Sequence, residues 1–281
     1  MCLFPRVISV PTPDHSARYP VTVSCGECLE CLIRYSKQWA FRICHEASLY
    51  KKNCFITLTY NSDYLPSDGG VHRRDIQLFI KRLRRHLEPL KIRYFYCGEY
   101  GSLGFRPHYH IIIFNWCPDD LFFLKRDKSG SVLYRSLFVE RCWSEYFSAT
   151  SEFPQGYFKP MGFCSVGMVD YQSAKYCAKY LQKSLFNRKR LKLPKPFVGM
   201  SNRPGIGYDT IYDHSIFPSG LIYYHGKSVP VPRYYLKVME RDGIFLDEFK
   251  FYRSRDLAFR SKLRLLPAAR EKIYRLFGSF Y

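Results

Sequence analysis

Apolar runs of two kinds alternate along the chain and predict an alternation of strands and helices. Runs rich in β-branched and aromatic residues predict buried strands at 55–60, 92–97, 111–114 and 163–169. Apolar positions three and four apart predict helices at 32–52, 73–86, 136–147 and 170–183. Residues 1–24 carry four prolines and no clear periodicity, so we expect an irregular segment there. Towards the other end, the pattern predicts a hairpin from 221–224 and 233–238 and a basic helix over 249–266.

The helix predicted over 73–86 is strongly basic outside one apolar face. That face is formed by Ile76, Phe79, Ile80 and Leu83, and most of the remaining positions are Lys or Arg. Such a charged surface is usually solvated, and it also suits contact with phosphate groups. We expect DNA contacts from Arg73, Arg74, Arg82, Arg85, Arg106 and Arg203.

The overall charge narrows the class of partner. The 281 residues include 44 Lys and Arg against 24 Asp and Glu, a net charge of +20, which favours a polyanion such as nucleic acid or an acidic membrane surface. Aromatic residues make up 18% of the chain, and basic residues interleaved with aromatic ones suit single-stranded nucleic acid. A basic protein with an aromatic-rich core has the same composition, so composition alone leaves both readings open.

Nothing in the sequence indicates a targeting or membrane segment. Residues 1–10 are too short for a secretory signal and are soon followed by Pro11 and Pro13. The apolar runs are far shorter than the ~20 residues that a membrane-spanning helix requires. We therefore expect a soluble intracellular protein with no membrane partner.

Eleven cysteines are scattered along the chain, and we expect no disulfide framework among them. Three are closely spaced, as Cys25-x-x-Cys28-x-x-Cys31, and can close on one metal ion. A structural Zn²⁺ needs four ligands, and Cys44 and His45 on the following helix are candidates for the fourth. An iron–sulfur cluster fits the same spacing, and three reduced thiols without metal are the alternative.

A histidine pair lies at the start of the strand around 111–114. His108 and His110 are two apart, so their side chains point off one face of the strand and can bind a divalent metal ion together. Glu99 ends the preceding strand, nine residues earlier, and a hairpin would bring its carboxylate beside the pair. Two imidazoles and a carboxylate suit Mg²⁺ or Mn²⁺ acting on phosphate. The alternatives are two unrelated histidines on a half-exposed strand and a solvated acid in a turn.

The helix predicted over 170–183 begins at Asp170, a favourable N-cap residue. Tyr176 and Tyr180 are four apart and therefore share a face, whereas Tyr171 points well away from them. Lys183 lies on the adjacent stripe. The alternative is that both tyrosines are core residues with hydroxyl groups at the rim.

In combination, these motifs resemble the HUH endonucleases that initiate rolling-circle replication, and most closely the replication initiators of gokushovirus-type microviruses. The resemblance covers most of the chain in the right order, in the stretches 25–40, 55–60, 97–101, 106–110, 176–183 and 200–207. It implies an α+β fold, in which a central antiparallel sheet of the RRM or ferredoxin-like kind is flanked by helices. We expect a Cys-rich segment and helix at 1–52, the endonuclease core at 53–190 and a basic extension at 191–281.

The resemblance also implies roles for the motif residues. It implies a site for Mg²⁺ or Mn²⁺ and a catalytic set, formed by His108, His110 and Glu99 and by Tyr176, Tyr180 and Lys183. The two tyrosines would be nucleophiles, and the lysine would assist at the site by stabilising phenolate or phosphate charge. The possible structural Zn²⁺ would be separate from this set.

The implied function is metal-dependent nicking and re-joining of single-stranded DNA at a replication origin. A tyrosine would form a 5′-phosphotyrosine link and release a 3′-hydroxyl that primes synthesis. The sequence has no Gly-x-x-x-x-Gly-Lys-Ser/Thr loop, so we expect a helicase and a polymerase from the bacterial host, in whose cytoplasm the protein would act. The alternatives are a relaxase or transposase of the same superfamily and a non-catalytic, zinc-stabilised nucleic-acid-binding protein.

Overall fold

The computed structural model describes residues 2–12, 14–101, 104–127, 130–171, 173–178, 193–212, 221–224 and 227–243. They fall into two compact units, Met1–Gln38 with Ile211–Tyr281, and Trp39–Thr210. The three segments expected from the sequence, 1–52, 53–190 and 191–281, divide the chain at other points. The difference arises because residues 39–47 pack on the central sheet and residues 197–200 form one of its strands.

Thirteen strands and five helices lie in the described residues. The strands are β1 Arg6–Pro11, β2 Arg18–Val23, β3 Asn53–Thr59, β4 Arg93–Tyr100, β5 Pro107–Phe114, β6 Phe122–Arg126, β7 Val132–Arg135, β8 Ser144–Phe147, β9 Tyr157–Pro160, β10 Cys164–Met168, β11 Phe197–Met200, β12 Leu221–Tyr224 and β13 Lys227–Pro230. The helices are α1 Leu29–Ser48, α2 Arg73–Leu87, α3 Leu137–Cys142, α4 over 171 and 173–178, and α5 Arg233–Arg241.

The larger unit is built on a seven-stranded sheet in the order β11-β4-β5-β3-β10-β7-β6. Every pairing between these strands is antiparallel. The α+β fold class with a central antiparallel sheet flanked by helices is therefore confirmed. The strands predicted at 55–60, 92–97, 111–114 and 163–169 are β3, β4, β5 and β10 of this sheet.

Both faces of β5 are covered, which explains its nearly continuous run of apolar residues. Ile111 and Ile113 point to one face and pack with the apolar stripe of α2, while Ile112 and Phe114 point to the other. That second face packs against the half of α1 that begins at Trp39, and against α4. The histidine pair, which alternates with Tyr109 and Ile111, therefore lies on the face covered by α1 and α4.

The helix predicted over 136–147 is shorter than the sequence pattern indicates. Ser136 caps α3 by accepting a hydrogen bond from the backbone N–H of Val139, but the helix ends at Cys142. Trp143 leaves the helical conformation, and its ring is buried, with Nε1 donating to the carbonyl oxygen of Thr59 at 2.7 Å. Burial of one large side chain thus overrides helical spacing, and the residues that follow form β8.

The smaller unit corrects two predictions. β1 and β2 form a two-stranded antiparallel hairpin where we expected an irregular segment. Its prolines are tolerated because each strand pairs on one side only. β12 pairs with β13, not with residues 233–238, which belong to α5. The apolar residues of α5 recur at helical spacing, and the helix predicted over 249–266 lies outside the described residues.

None of the helices in the described ranges is long and apolar enough to cross a membrane.

Candidate active site and metal-binding groups

The antiparallel register brings four side chains into one row across the middle of the sheet. Glu99 of β4 and Thr59 of β3 lie directly opposite His108 of β5, one on each side. In the next row of the same face, His110 has Cys97 and Thr57 as neighbours. The hairpin pairing of Glu99 with the histidine strand, expected from the sequence, is confirmed.

His108 is held in a defined orientation. Its Nδ1 lies 2.7 Å from the carbonyl oxygen of Arg106, an arrangement in which Nδ1–H donates and Nε2 carries the free lone pair. Its ring is parallel to that of His110, with an interplanar angle of 3° and centroids 6.5 Å apart. Burial lowers the pKa of His108, so the neutral imidazole, the form that binds metal ions, is favoured.

Glu99 and His110 form a buried pair beside it. Nε2 of His110 is 3.2 Å from Oε1 of Glu99, and Nδ1 is 3.0 Å from Oγ1 of Thr57. Glu99 is only 4% exposed, and its second oxygen, Oε2, is the one buried side-chain polar atom without a hydrogen-bond partner among the described residues. An unsatisfied buried carboxylate oxygen is costly, and a cation would satisfy it. Two imidazoles and this carboxylate therefore fit a divalent metal ion.

Tyr176 lies over the same rows. Its ring meets that of His110 edge to face, with centroids 5.4 Å apart, and the residue is 46% exposed. Burial, together with the negative charge of Glu99, raises the pKa of Tyr176 to about 12. The phenol is therefore protonated at neutral pH and lies next to the proposed metal ligands.

Helix α4 is fixed to the sheet by its small residues and by its N-terminus. Ala174, Cys177 and Ala178 are fully buried, and Cys177 Sγ lies 3.7 Å from Cys97 Sγ. The backbone N–H of Ser173 donates to Asp170 at 2.6 Å, as expected of an N-cap residue. These contacts determine which face of α4 carries Tyr176 towards the histidines.

The other tyrosines of the motif are placed as follows. Tyr171 packs on Phe41, with ring centroids 5.8 Å apart, and so contacts a different part of the core from Tyr176. Tyr180 and Lys183 lie outside the described residues. Their roles remain predictions from the resemblance.

The arginines predicted to bind DNA do not form one group with this site. Arg73, Arg74, Arg82 and Arg85 are on α2, which covers the opposite face of the sheet. Two of them bind backbone carbonyl groups, Arg73 at Val198 and Arg82 at Cys142.

The other two predicted arginines belong to loops. Arg106 donates to the carbonyl oxygen of Tyr60 at 3.0 Å, while its own carbonyl group accepts from His108. Arg203 is exposed in a turn before η1, the 3₁₀ helix Asp209–Tyr212. Contact between these six arginines and DNA remains a prediction.

Sequence reasoning missed the two threonines of the site. Thr57 contacts His110, and Thr59 lies beside His108. A signal was present, since Thr57 and Thr59 alternate with Ile56 and Leu58 and therefore share one face of β3. What the pattern of β3 alone lacks is the identity of the strand that lies next to it.

A four-cysteine group lies in the smaller unit, with Cys2 as its fourth member. The Sγ atoms of Cys2, Cys25, Cys28 and Cys31 all lie within 4.8 Å of one another. Cys44 is not part of the group, which corrects the sequence prediction. Cys31 and Cys44 are on the same helix, and thirteen residues at 1.5 Å each separate them by about 20 Å.

Backbone N–H groups surround these sulfur atoms. Cys25 N–H donates to Cys2 Sγ at 3.2 Å, Leu3 N–H to Cys28 Sγ at 3.4 Å, and Cys28 N–H to Cys25 Sγ at 3.3 Å. Although burial opposes it, backbone donors lower the pKa of Cys25 to about 6. The group can hold a structural metal ion, because thiolates are the ligand form and these donors stabilise negative sulfur.

Comparison with known proteins agrees with these features. A family model described as a replication-associated protein of the ORF2 kind matches residues 53–185. Replication-associated protein VP4 of Bdellovibrio phage phiMH2K is 31% identical over 224 residues, which cover 75% of this chain and 65% of that protein. Replication-associated protein ORF2 of Spiroplasma virus 4 is 30% identical over 246 residues, covering 82% and 72%.

A third relative, replication-associated protein ORF4 of Chlamydia phage 1, is 26% identical over 248 residues, which cover 83% of this chain and 58% of that protein. The chain thus spans between 58% and 72% of the length of these relatives. No solved structure matches. By its identity to these relatives and the extent of the match, the chain belongs to the family of phage replication-associated proteins, of the microvirus type that its sequence motifs resemble.

Proposed function

We propose that this protein initiates replication by nicking and re-joining single-stranded DNA at an origin, through a covalent link to tyrosine. The observation that carries the proposal is the juxtaposition of Glu99, His108 and His110 on one sheet face beneath the ring of Tyr176. Membership of the replication-associated family supports the coarser role in DNA replication.

Glu99, His108 and His110 would hold Mg²⁺ or Mn²⁺. When bound, such an ion supplies polarisation and orientation of a phosphate group for in-line attack. The donor set supports this assignment, because one nitrogen of His108 and one oxygen of Glu99 are left for a ligand. Thr57 and the Arg106 carbonyl group would keep the two rings in position through the opposite nitrogen atoms.

Tyr176 would act as nucleophile. Its Oη forms a bond to phosphorus while the bond from phosphorus to the 3′ oxygen breaks; the phenol loses its proton, and the 3′ oxygen takes one up. Because the charge of Glu99 contributes to the high pKa of Tyr176, neutralising that carboxylate favours loss of the proton. The covalent link conserves the phosphodiester, so a later attack by a 3′-hydroxyl can re-join the strand.

Tyr180 and Lys183 complete the proposal by resemblance. A second tyrosine would cleave the next copy while the first holds the old end, and the lysine would stabilise phenolate or phosphate charge. Single-stranded and origin DNA would be the substrates, and the bacterial host would supply helicase and polymerase in its cytoplasm.

We also propose that the four-cysteine group binds Zn²⁺. Four sulfur ligands without a carboxylate or a histidine match a closed structural zinc site. The expected role is to join the segment that holds Cys2 to the start of α1, because the four ligands come from both.

The nicking proposal is tested with full-length protein, Mn²⁺ and end-labelled single-stranded oligonucleotides tiled across the DNA that carries its gene. We expect cleavage and a covalent adduct with at least one oligonucleotide. His108→Ala and His110→Ala should lose both products and keep DNA binding, because binding is distributed over the basic surface. His86→Ala, on the exposed surface of α2, is the matched control. Cleavage that persists in both site variants would contradict the proposal.

A further inference from the structure

Phe163 is the most exposed of the large apolar side chains in the described part of the chain, at 82%. Single apolar residues on a protein surface are common and need no explanation by themselves. The position of this one is unusual, because it immediately precedes β10, inside the central sheet and not at its edge.

The register of β10 extends the row of the metal ligands to Phe163. Cys164 pairs with Leu58, and one step further Phe163 exchanges hydrogen bonds with Thr59, whose N–H donates to its carbonyl oxygen at 3.0 Å. Thr59 is opposite His108, which is opposite Glu99. The row therefore runs across four chain segments, and its members share one face.

The side-chain direction is consistent with this register. Cys164 and Val166 are buried in the core on the α2 face, so Phe163 points to the face that carries the histidines. Neighbouring strands are about 4.8 Å apart, which places Phe163 roughly 10 Å from His108, two strands away. A nucleotide next to a phosphate group held by the histidines would reach that distance.

The backbone that presents this ring is rigid. The hydroxyl group of Thr59 donates to the Phe163 carbonyl oxygen at 3.1 Å and accepts from the Phe163 N–H at 3.1 Å. Gly162 lies so close to β3 that a Cβ atom there would be 2.1 Å from the Thr59 carbonyl oxygen. Only glycine fits this approach, so the chain is held against the site row directly before the exposed ring.

We propose that Phe163 is a stacking platform for one base of the DNA strand, adjacent to the phosphate that is cleaved. The proposal rests on the nicking function above and adds a residue that selects how the strand lies in the site. A rigid, exposed ring beside a phosphate-binding site in a chain of net charge +20 suits single-stranded DNA, in which every base offers a flat face.

The platform is tested by binding alone, without added Mg²⁺ or Mn²⁺, so that cleavage plays no part. The probes are a fluorescein-labelled thymidine strand of about 12 nucleotides and an abasic strand of equal length and charge. We expect Phe163→Ala to weaken binding of the thymidine strand about 5- to 150-fold and to leave binding of the abasic strand unchanged. Phe163→Leu should behave like the alanine variant, and Phe163→Trp like the parent.

Phe123→Ala is the matched control. Phe123 is 67% exposed on the same sheet, but it pairs with Tyr134 and through it with the buried Val166, so it belongs to the opposite face. This variant should bind both probes as the parent does. Equal binding of the thymidine strand by Phe163→Ala and the parent would overturn the platform. So would an equal loss for both probes, or a change from dimer to monomer in sedimentation that shows the ring covers a second copy.

Adduct formation by the parent with Mn²⁺ is measured separately. If the parent forms adducts and Phe163→Ala binds normally, the platform fails and the nicking function stands. If the parent forms none while Phe163→Ala loses its preference for bases, the nicking function fails and the platform stands as a DNA-binding feature.

Discussion

Glu99 Oε1 lies 3.2 Å from Nε2 of His110 on the neighbouring strand, while Oε2 of the same buried carboxylate has no hydrogen-bond partner in the described part of the chain. A carboxylate in this position reduces stability unless something satisfies it. The pair is therefore better suited to holding a cation than to stabilising the sheet.

Glu99→Gln should separate stability from metal binding. Without added metal we expect the variant to be more stable than the parent by about 1–3 kcal/mol, because a neutral amide is less costly to bury than an unsatisfied carboxylate. With Mn²⁺ at 100 times its Kd the parent should gain about 2.7 kcal/mol, and the variant much less. Urea unfolding with and without Mn²⁺ measures both changes, with the exposed Glu152→Gln as the control. A variant that gains as much from Mn²⁺ as the parent would exclude Glu99 as a ligand.

A buried histidine should make the larger unit sensitive to acid. Burial lowers the pKa of His45 from 6.5 to about 4, so the folded protein binds its proton less readily than the unfolded chain. Stability from this source is fully present above about pH 6.5, and it is lost as the pH falls towards 4, at most about 3 kcal/mol. Unfolding measured in urea at several pH values should show this fall in the parent and a weaker one in His45→Gln. The exposed His86→Gln should retain the parent's slope, and an unchanged slope in His45→Gln would contradict the assignment.

The cysteine group should depend on Cys2 and not on Cys44. We expect about one Zn²⁺ per chain in the parent and in Cys44→Ser, and loss of zinc with destabilisation in Cys2→Ser, because binding and folding are coupled. Elemental analysis measures the zinc, and replacement by Co²⁺ should give the absorption bands of a tetrahedral thiolate site only where all four ligands remain. Metal-free, fully folded parent protein, or zinc retained in Cys2→Ser, would show that this group is not the site.

The sequence predicts much of the active-site row and less of what surrounds it. Alternation within β5 shows that His108 and His110 share a face, and the short connection to β4 indicates that Glu99 faces them. Both are local patterns, and the register confirms the pairing. Thr59 and Phe163 belong to the same row through β3 and β10, which are more than 100 positions apart, and no local pattern reports such a pairing.

Other differences also come from contacts that are distant in sequence. Cys2 joins Cys25 across the β1–β2 hairpin, so the spacing of three nearby cysteines could not identify the fourth. Trp143 fits the helical pattern of α3, yet its bond to Thr59 ends the helix. In α5 a short stretch of alternating polar and apolar residues is compatible with both periods, and burial of Tyr235, Val238 and Met239 selects the helix.

The central claim is that Tyr176 attacks a phosphate group held beside Glu99, His108 and His110, with Tyr180 as a second nucleophile. The most direct test is a denaturing gel of the full chain with Mn²⁺ and an end-labelled oligonucleotide that it cleaves, followed by peptide mapping of the adduct. Tyr176→Phe and Tyr180→Phe keep the rings and remove one hydroxyl each. We predict that each single variant still forms an adduct but fails to release a closed circle, that the double variant forms none, and that Tyr171→Phe equals the parent. An adduct that survives in the double variant, or that maps to Tyr171, would contradict the account.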